Sequence, residues 1–264
     1  IYGYFNNNFG DDLFIKVLLE RYPNEKFVIV GNDIFEKNLS NYKNIKVIKT
    51  NNIFFRTIRY ILTKMKRMDI MYKLISLGCK RNIYIGGSLF IESDNLEEQK
   101  KYYTDLISNK KKSFLCGSNF GPYKSNEFYD FFDKYIEQFT DVCFRESYSY
   151  KLFSHHKNVR YATDIVFNLQ HKILKSKNEN NKVVISVKKL NNCDKHKIYI
   201  HKIAEIIKDL IDNNYQICLM SFCKIEGDEE VIKDIINSLP NKYKDAINVY
   251  NYSSDMEECL DIIS

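Results

Sequence analysis

Side chains suited to binding an anion or a sugar recur where apolar stretches of the sequence end. Glycines at such positions let a ligand approach the backbone closely. Hydroxyl, amide and carboxylate groups can hydrogen-bond to sugar hydroxyls, and an arginine can hold a phosphate or carboxylate through two parallel hydrogen bonds. We therefore expect a ligand site assembled from several loops. The residues are Asn8, Gly10, Asp11, Gly86, Gly87, Ser88, Ser118 and Arg145.

Each of these loops also allows a simpler interpretation. The first loop is equally typical of a capped helix start, with Asp11 or Asp12 as the N-cap residue. The glycines elsewhere could merely turn the chain. Arg145 could form a surface pair with Glu146, which would contribute little to stability. Asp164, further along the chain, could bind sugar hydroxyls, act as a base or cap a turn, and the sequence leaves these three roles open.

Short apolar runs alternate with helix-like segments, which predicts α/β domains built on parallel sheets with helices on both faces. The carboxyl ends of parallel strands meet at one sheet edge, so the loops above are expected along one ligand crevice. A polar stretch at 172–182 predicts a linker between an N-terminal Rossmann-like domain over 1–172 and a partial second one over 182–264. Strands are expected at 1–4, 27–30, 45–48, 82–85, 113–116, 141–144, 159–162, 183–187, 216–222 and 247–249.

The composition, 44% hydrophobic and 28% charged, is that of a globular protein. The net charge of +6 comes from scattered lysines and not from a dense basic stripe, so we expect no nucleic-acid partner. The seven cysteines form no C-x-x-C pair, which favours reduced thiols in the cytoplasm. No signal peptide or membrane-length apolar run is found. The adjacent His155 and His156 are expected to point apart, and no metal site is predicted.

In this order, the loops resemble the motifs of the polysaccharide pyruvyl transferase family. The family core N-x-G-D-[DE] matches residues 8–12, and a strand ending in G-G-[GS]-x-[LF] matches 86–90. A G-x-S-x-G-P segment resembles 117–122, with one residue fewer between Gly and Ser. The patterns R-[DE]-x-x-S-x-x-x-L and [AT]-D-x-x-F-x-L are matched at 145–153, with serines at both 147 and 149, and at 163–169. The second domain's first strand usually ends in an arginine, and Lys188 stands there.

The resemblance implies two Rossmann-like domains in a GT-B-like arrangement around a cleft. It implies transfer of a pyruvyl group from phosphoenolpyruvate to a saccharide or lipid-linked saccharide, forming a ketal in bacterial cell-surface polysaccharide synthesis without a cofactor. Arg145, expected to face the cleft, and Lys188 would pair with the anionic donor. The family's R-x-H motif, associated with acid catalysis, is not found before Ser264. The catalytic residue is therefore expected beyond Ser264, and the natural chain is expected to extend past both Ile1 and Ser264.

Two other functions share this architecture, because a fold does not determine the chemistry that it supports. One is a nucleotide-sugar glycosyltransferase, and the other is a relative that binds glycans or protein partners without catalysis. The resemblance also leaves peripheral association with a membrane open. Binding of phosphoenolpyruvate or of a nucleotide sugar would discriminate between the enzymes.

Overall fold

Two compact units make up the chain in this computed structural model, which describes residues 1–5, 7–109, 111–169 and 181–263. Of the described residues, unit 1 contains 1–5 and 13–169, and unit 2 contains 7–12 and 181–263. The strand pairs of the described residues are all parallel. The α/β class with parallel sheets, predicted from the alternation of strands and helices, is confirmed.

Unit 1 repeats a strand-then-helix pattern because its apolar runs of four or five residues are separated by longer amphipathic segments. The first helix starts with residues of unit 2, and its remaining residues belong to unit 1. The elements are α1 (Phe9–Arg21), β1 (Phe27–Gly31), α2 (Asp33–Asn38), β2 (Ile45–Lys49), α3 (Ile53–Lys64), α4 (Met68–Ile75), β3 (Arg81–Ile85), α5 (Leu96–Ile107), β4 (Lys112–Ser118), α6 (Asn126–Glu137), β5 (Asp141–Phe144), α7 (Ser147–Phe153) and β6 (Val159–Tyr161), followed by a 3-10 turn (Ile165–Asn168).

The strands of unit 1 pair in the order β3-β4-β5-β6, and β1 pairs separately with β2. The strand expected at residues 1–4 is shorter than predicted, because only Tyr2 bridges to Tyr84 of β3. In β4 the pairing with β5 shifts by one residue between Cys116 and Ser118. Gly117 lies in this bulge with a φ of 72°, a left-handed conformation that glycine adopts without strain. The bulge places Ser118 opposite Phe144, at the end of β5.

An aromatic core fixes the loops that follow β3 and β4. Phe90 and Phe120 are almost fully buried, and a parallel bridge joins their backbones. Phe120 also packs against Phe128 and Phe153, with ring centroids 5.3 and 4.8 Å apart. Close aromatic pairs of this kind add to the free energy gained by burial. The loops that carry the glycines are therefore held on a rigid core at their far ends.

Unit 2 contains the three-stranded sheet with the order β7-β8-β9. The expected linker lies outside the described residues except at its last two positions, and β7 begins at Lys182. A short helix, α10, follows Pro240 and was not predicted. The elements are β7 (Lys182–Ser186), α8 (Cys193–Asp212), β8 (Gln216–Ser221), a 3-10 turn (Lys224–Glu226), α9 (Asp228–Ser238), α10 (Asn241–Lys244), β9 (Ile247–Asn251) and α11 (Met256–Ile263). None of the helices described in either unit is long and apolar enough to cross a membrane.

Candidate functional site

The loops after β3, β4, β5 and β6 bring the six predicted unit 1 residues to one sheet edge. These strands are adjacent and parallel, so the residues that follow their carboxyl ends become neighbours. Arg145 lies at the centre of the group. The other predicted members of this site are Gly86, Gly87, Ser88, Ser118 and Asp164.

Arg145 follows β5 directly and is oriented by two side chains from neighbouring loops. Its Nη1 donates to Oδ2 of Asp164 at 2.8 Å, and its Nη2 donates to Oδ1 of Asn119 at 3.0 Å. The side chains of Arg145 and Asp164 are 28% and 26% exposed, so this ion pair is half-buried. The guanidinium carbon also lies 6.0 Å from the ring centroid of Phe14. The guanidinium group of Arg145 therefore has a defined position and orientation in unit 1.

Gly87 packs directly beneath the guanidinium group. A Cβ atom at Gly87 would lie 2.8 Å from Nη2 of Arg145, closer than real Cβ atoms approach, and 3.1 Å from its Cζ. The preceding residue, Gly86, has a φ of 152°, which favours glycine. The Gly-Gly pair at the end of β3 therefore makes room for an arginine from β5. This requirement explains the glycine at position 87 better than a turn alone.

Two serines of the site differ in their exposure. Ser118 is fully buried, and its hydroxyl lies 3.1 Å from the backbone carbonyls of Gly87 and Asn119, to which it donates. Ser118 thus positions the loops. Ser88 is exposed and donates to Oδ1 of Asn119 at 3.3 Å, the same oxygen that accepts from Arg145. Asn119 therefore links the exposed hydroxyl to the guanidinium.

Glu146 fixes the segment after Arg145, instead of forming the surface pair with Arg145 that the sequence also allowed. Both Glu146 carboxylate oxygens accept from backbone N–H groups at the start of α7, from Tyr148 at 2.6 Å and Ser149 at 2.8 Å. The buried Ser149 hydroxyl donates to Glu146 and accepts from the N–H of Phe120 at 2.7 Å. Of the two serines at 147 and 149, Ser149 is thus the one that ties α7 to the β4 loop.

This arrangement is suited to holding an anion. Among the described residues, only the side chains of Asp164 and Asn119 accept hydrogen bonds from the Arg145 side chain. A guanidinium has five N–H donors, so donors beyond these two contacts are left for a ligand to use. Donors that are already oriented bind a charged group without a reorganisation cost. Asp164 also accepts from the N–H of Val166 at 3.0 Å, so it caps the 3-10 turn while it orients Arg145.

The remaining predicted residues lie in unit 2. Asn8, and not Asp11 or Asp12, caps α1: its Oδ1 accepts from the N–H groups of Gly10 at 3.0 Å and Asp11 at 3.4 Å. The N-cap predicted from the sequence was therefore wrong by three or four residues. Asn8 Nδ2 also lies 3.5 Å from Oε1 of Glu226. These contacts place Asn8 beside the loop that follows β8.

The buried Asp12 has a specific partner in unit 2. Its Oδ2 accepts from the Tyr252 hydroxyl at 2.7 Å. Burial, and then the nearby Asp12 charge, hold the pKa of Tyr252 well above its usual range, so the phenol stays protonated as a donor. Phe9 packs between Phe222 and Tyr252, with centroids 5.1 and 5.3 Å away. The segment 7–12 is therefore packed on the ends of β8 and β9.

Lys188 is exposed and follows β7 by two residues. Its charge acts on Asp228, which is 4% exposed and accepts from the N–H groups of Phe222 at 3.1 Å and Cys223 at 2.9 Å. Burial raises the pKa of Asp228, while these two N–H groups and Lys188 lower it. The Asp228 carboxylate thus fixes the backbone of the loop that follows β8, within reach of the charge of Lys188.

Two histidines come together with an aspartate at the opposite end of β6. The Nε2 atoms of His155 and His156 lie 2.9 and 2.7 Å from the same Oδ1 of Asp133, and the rings are 4.1 Å apart. The expectation that these side chains point apart was wrong, because the turn after α7 lets both reach α6. The three groups could hold a metal ion, since their ligand atoms lie within 4.8 Å of one another. Their mutual hydrogen bonds also satisfy them without one.

The site residues predicted from the sequence left out Asp228, and they left out Asn119 although the glycine loop at 117–122 that contains it was recognised. Asn119 directly follows a predicted site residue, so its position in a glycine loop was a usable signal. Asp228 had no such signal, because an acidic residue at a helix start normally faces solvent.

Comparison with known proteins agrees with the motifs. The chain is similar to the solved structure of ADP-heptose lipopolysaccharide heptosyltransferase II of E. coli, with a TM-score of 0.46 and 12% identity, over 99% of this chain and 75% of that one. The search of curated proteins gave no match. The profile of polysaccharide pyruvyl transferases matches residues 8–264. Because that match runs through the loops of both units, the chain belongs to the polysaccharide pyruvyl transferase family and is a transferase.

Proposed function

We propose that the protein transfers the pyruvyl group of phosphoenolpyruvate to two hydroxyls of a saccharide, forming a ketal during cell-surface polysaccharide synthesis. The observation that carries the proposal is the oriented Arg145, which is held by Asp164 and by Asn119, whose Oδ1 also accepts from the exposed Ser88 hydroxyl. A carboxylate or phosphate of the donor fits this charge-assisted site. Family membership supports the reaction class.

The reaction needs few groups from the protein. A proton is added to the methylene carbon of the enol, which makes the adjacent carbon electrophilic. Two sugar hydroxyls then form bonds to that carbon and lose their protons, and the carbon–oxygen bond to phosphate breaks. Inorganic phosphate leaves and takes up one proton, so no oxidant or reductant is required. Within unit 1, Arg145 binds the anionic donor and Asp164 holds its guanidinium in place. Lys188 stays a predicted substrate contact of unit 2.

Calorimetric titration of the full-length protein with phosphoenolpyruvate tests this function. We expect binding, and Arg145→Ala should weaken it about 10- to 100-fold, because a charge-assisted contact contributes about 1.5–3 kcal/mol. Arg145→Lys should restore only part of the affinity, since lysine lacks the planar fork. Arg160→Ala, which removes a more exposed arginine from the same sheet, is the matched control. Binding of a UDP-sugar but not of phosphoenolpyruvate would overturn the proposal in favour of glycosyl transfer.

A further inference from the structure

Helix α3 presents an aligned apolar face to solvent. Phe54, Ile61 and Met65 are 73%, 48% and 61% exposed. Their spacing of seven and then four residues places them along one side of the helix and its C-cap. Single exposed apolar side chains are normal on a protein surface, but an aligned set marks an interaction surface.

The exposed apolar area continues beyond this stripe. Ile53 and Tyr60, seven residues apart with Arg56 between them, line a shallow groove on another side of α3. Leu62 is the one buried residue of α3, so most of the helix circumference faces solvent. Leu77, which follows α4, is also largely exposed. We call the exposed side of α3 and of the turn before α4 the α3–α4 surface; it contains Ile53, Phe54, Arg56, Arg59, Tyr60, Ile61 and Met65.

The charge of this region is strongly positive. Residues 53–78 contain six lysines and arginines against a single acid, Asp69, which gives a net charge of +5. Asp69 pairs with Arg67 and Lys73. For Arg56 and Arg59, no carboxylate among the described residues lies within salt-bridge distance. Both arginines line the same groove as Ile53 and Tyr60, so their positive charges stand beside exposed apolar side chains, with no acidic partner in the part of the chain that the structure describes.

We propose that the α3–α4 surface binds an anionic lipid bilayer, with α3 lying in the plane of the membrane interface. Aromatic and aliphatic side chains enter the boundary between headgroups and acyl chains, while arginines and lysines contact lipid phosphates. Ile53 and Tyr60, together with the neighbouring stripe, supply the first component, and Arg56 and Arg59 supply the second. A purely polyanionic partner would use the charges but leave the apolar stripe in water.

Such docking would bring the protein to saccharides that are linked to membrane lipids. That use of the surface rests on the proposed function, whereas membrane binding itself does not. The two can therefore fail separately: vesicle binding is measured without turnover, and phosphoenolpyruvate binding is measured without lipid.

Flotation with large unilamellar vesicles tests the proposal on the full-length protein. We expect it to float with vesicles of phosphatidylcholine and phosphatidylglycerol, to float less at high salt and to bind pure phosphatidylcholine weakly. Arg56→Gln with Arg59→Gln should weaken binding to anionic vesicles about thirtyfold, since each basic residue near the surface contributes about a fivefold factor. Lys195→Gln with Lys197→Gln, exposed on α8, should leave binding unchanged.

The apolar component needs its own pair of variants. Phe54→Ser with Ile61→Ser should weaken vesicle binding about tenfold or more, because both side chains would otherwise leave water. Ile198→Ser with Ile206→Ser removes two exposed isoleucines of α8 and should have no effect. Equal flotation of the two double variants would overturn the proposal. A second result would also overturn it: the wild-type protein does not bind vesicles but forms a dimer in analytical ultracentrifugation, and Phe54→Ser with Ile61→Ser dissociates that dimer.

Discussion

Nη1 of Arg145 lies 2.8 Å from Oδ2 of Asp164, joining the loop after β5 to the loop after β6. Both residues belong to motifs that the sequence offers as separate pieces, nineteen positions apart. The ion pair is half-buried, which makes it stronger than a fully exposed pair but still accessible to a ligand. It is the contact on which the candidate site of unit 1 depends.

Replacing Asp164 by asparagine tests the strength of this contact. Asparagine keeps an oxygen for the N–H of Val166 but loses the charge that holds Arg145, so we expect a cost of about 1–2 kcal/mol in the free energy of unfolding. Asp141→Asn removes the charge from the more exposed pair with Arg160, whose side chains are 32% and 56% exposed, and should cost less than about 0.5 kcal/mol. Urea unfolding measures both. Equal losses would show that burial does not strengthen the Arg145 pair.

Gly87→Ala should displace the guanidinium without unfolding the protein. The added Cβ would meet the flexible end of Arg145 and not a backbone atom, so the arginine can move aside. We expect a melting temperature close to that of the wild type and a loss of phosphoenolpyruvate affinity similar to that of Arg145→Ala. A double-mutant cycle decides whether the effect runs through Arg145. In the Arg145→Ala background, Gly87→Ala should have no further effect on affinity; additive losses would contradict this.

Ser149→Ala should destabilise the protein more than Ser147→Ala. The Ser149 hydroxyl is fully buried and accepts from the N–H of Phe120, which would be left without that partner. Leaving a buried donor unsatisfied costs about 1–3 kcal/mol. Ser147 is exposed at the start of the same helix and serves as the control. Thermal unfolding of the two variants compares them, and similar midpoints would argue against the structural role of Ser149.

Tyr252→Phe should weaken the packing of segment 7–12 in unit 2. The substitution keeps the ring but removes a hydrogen bond to the buried Asp12 carboxylate, which contributes about 1.5–3 kcal/mol when an ion is involved. Tyr250→Phe removes the corresponding bond to the exposed Glu258 and should change little. Hydrogen exchange of the α1 amides, together with urea unfolding, would report the difference. No difference between the two phenylalanine variants would contradict the assignment.

The alternation of strands and helices and the order of the site loops were predictable from local sequence. Arg145 was also predictable as a site residue, because it follows an apolar strand directly. Its environment was not: it was expected to face the cleft, and the contacts with Gly87, Asn119 and Asp164 that hold it were not part of that expectation. These neighbours lie on three other loops, and sequence spacing does not report which side chains a parallel sheet brings together.

The same limit explains the errors. Asp11 and Asp12 have the right residue type for an N-cap, but Asn8 occupies that position because Asp12 is buried against Tyr252. His155 and His156 would point apart in an extended strand, yet they lie in a turn from which both reach Asp133. In each case a tertiary contact overrides a local preference.

The pH dependence of stability should carry a contribution from Cys259. This thiol of α11 is fully buried, and burial, followed by the charges of Glu258 and Asp255, raises its pKa to about 12 from the ordinary value of 9.0. Above pH 9 the unfolded chain loses the thiol proton while the folded chain keeps it, so stability is complete below pH 9 and falls as the pH rises towards 12.

Cys259→Ala isolates this contribution from that of the nearby tyrosines. At pH 7.5 the variant should be less stable than the wild type because of the cavity left in the core. Between pH 9 and 11 the difference in stability between the variant and the wild type should shrink. Only the wild type has the buried thiol, which lowers its stability by up to about 1.4 kcal/mol per pH unit. Cys193→Ala, which removes an exposed thiol, should run parallel to the wild type across the same range. Guanidinium unfolding at pH 7.5, 9, 10 and 11 gives the three curves, and a constant gap between Cys259→Ala and the wild type would exclude the thiol as the titrating group.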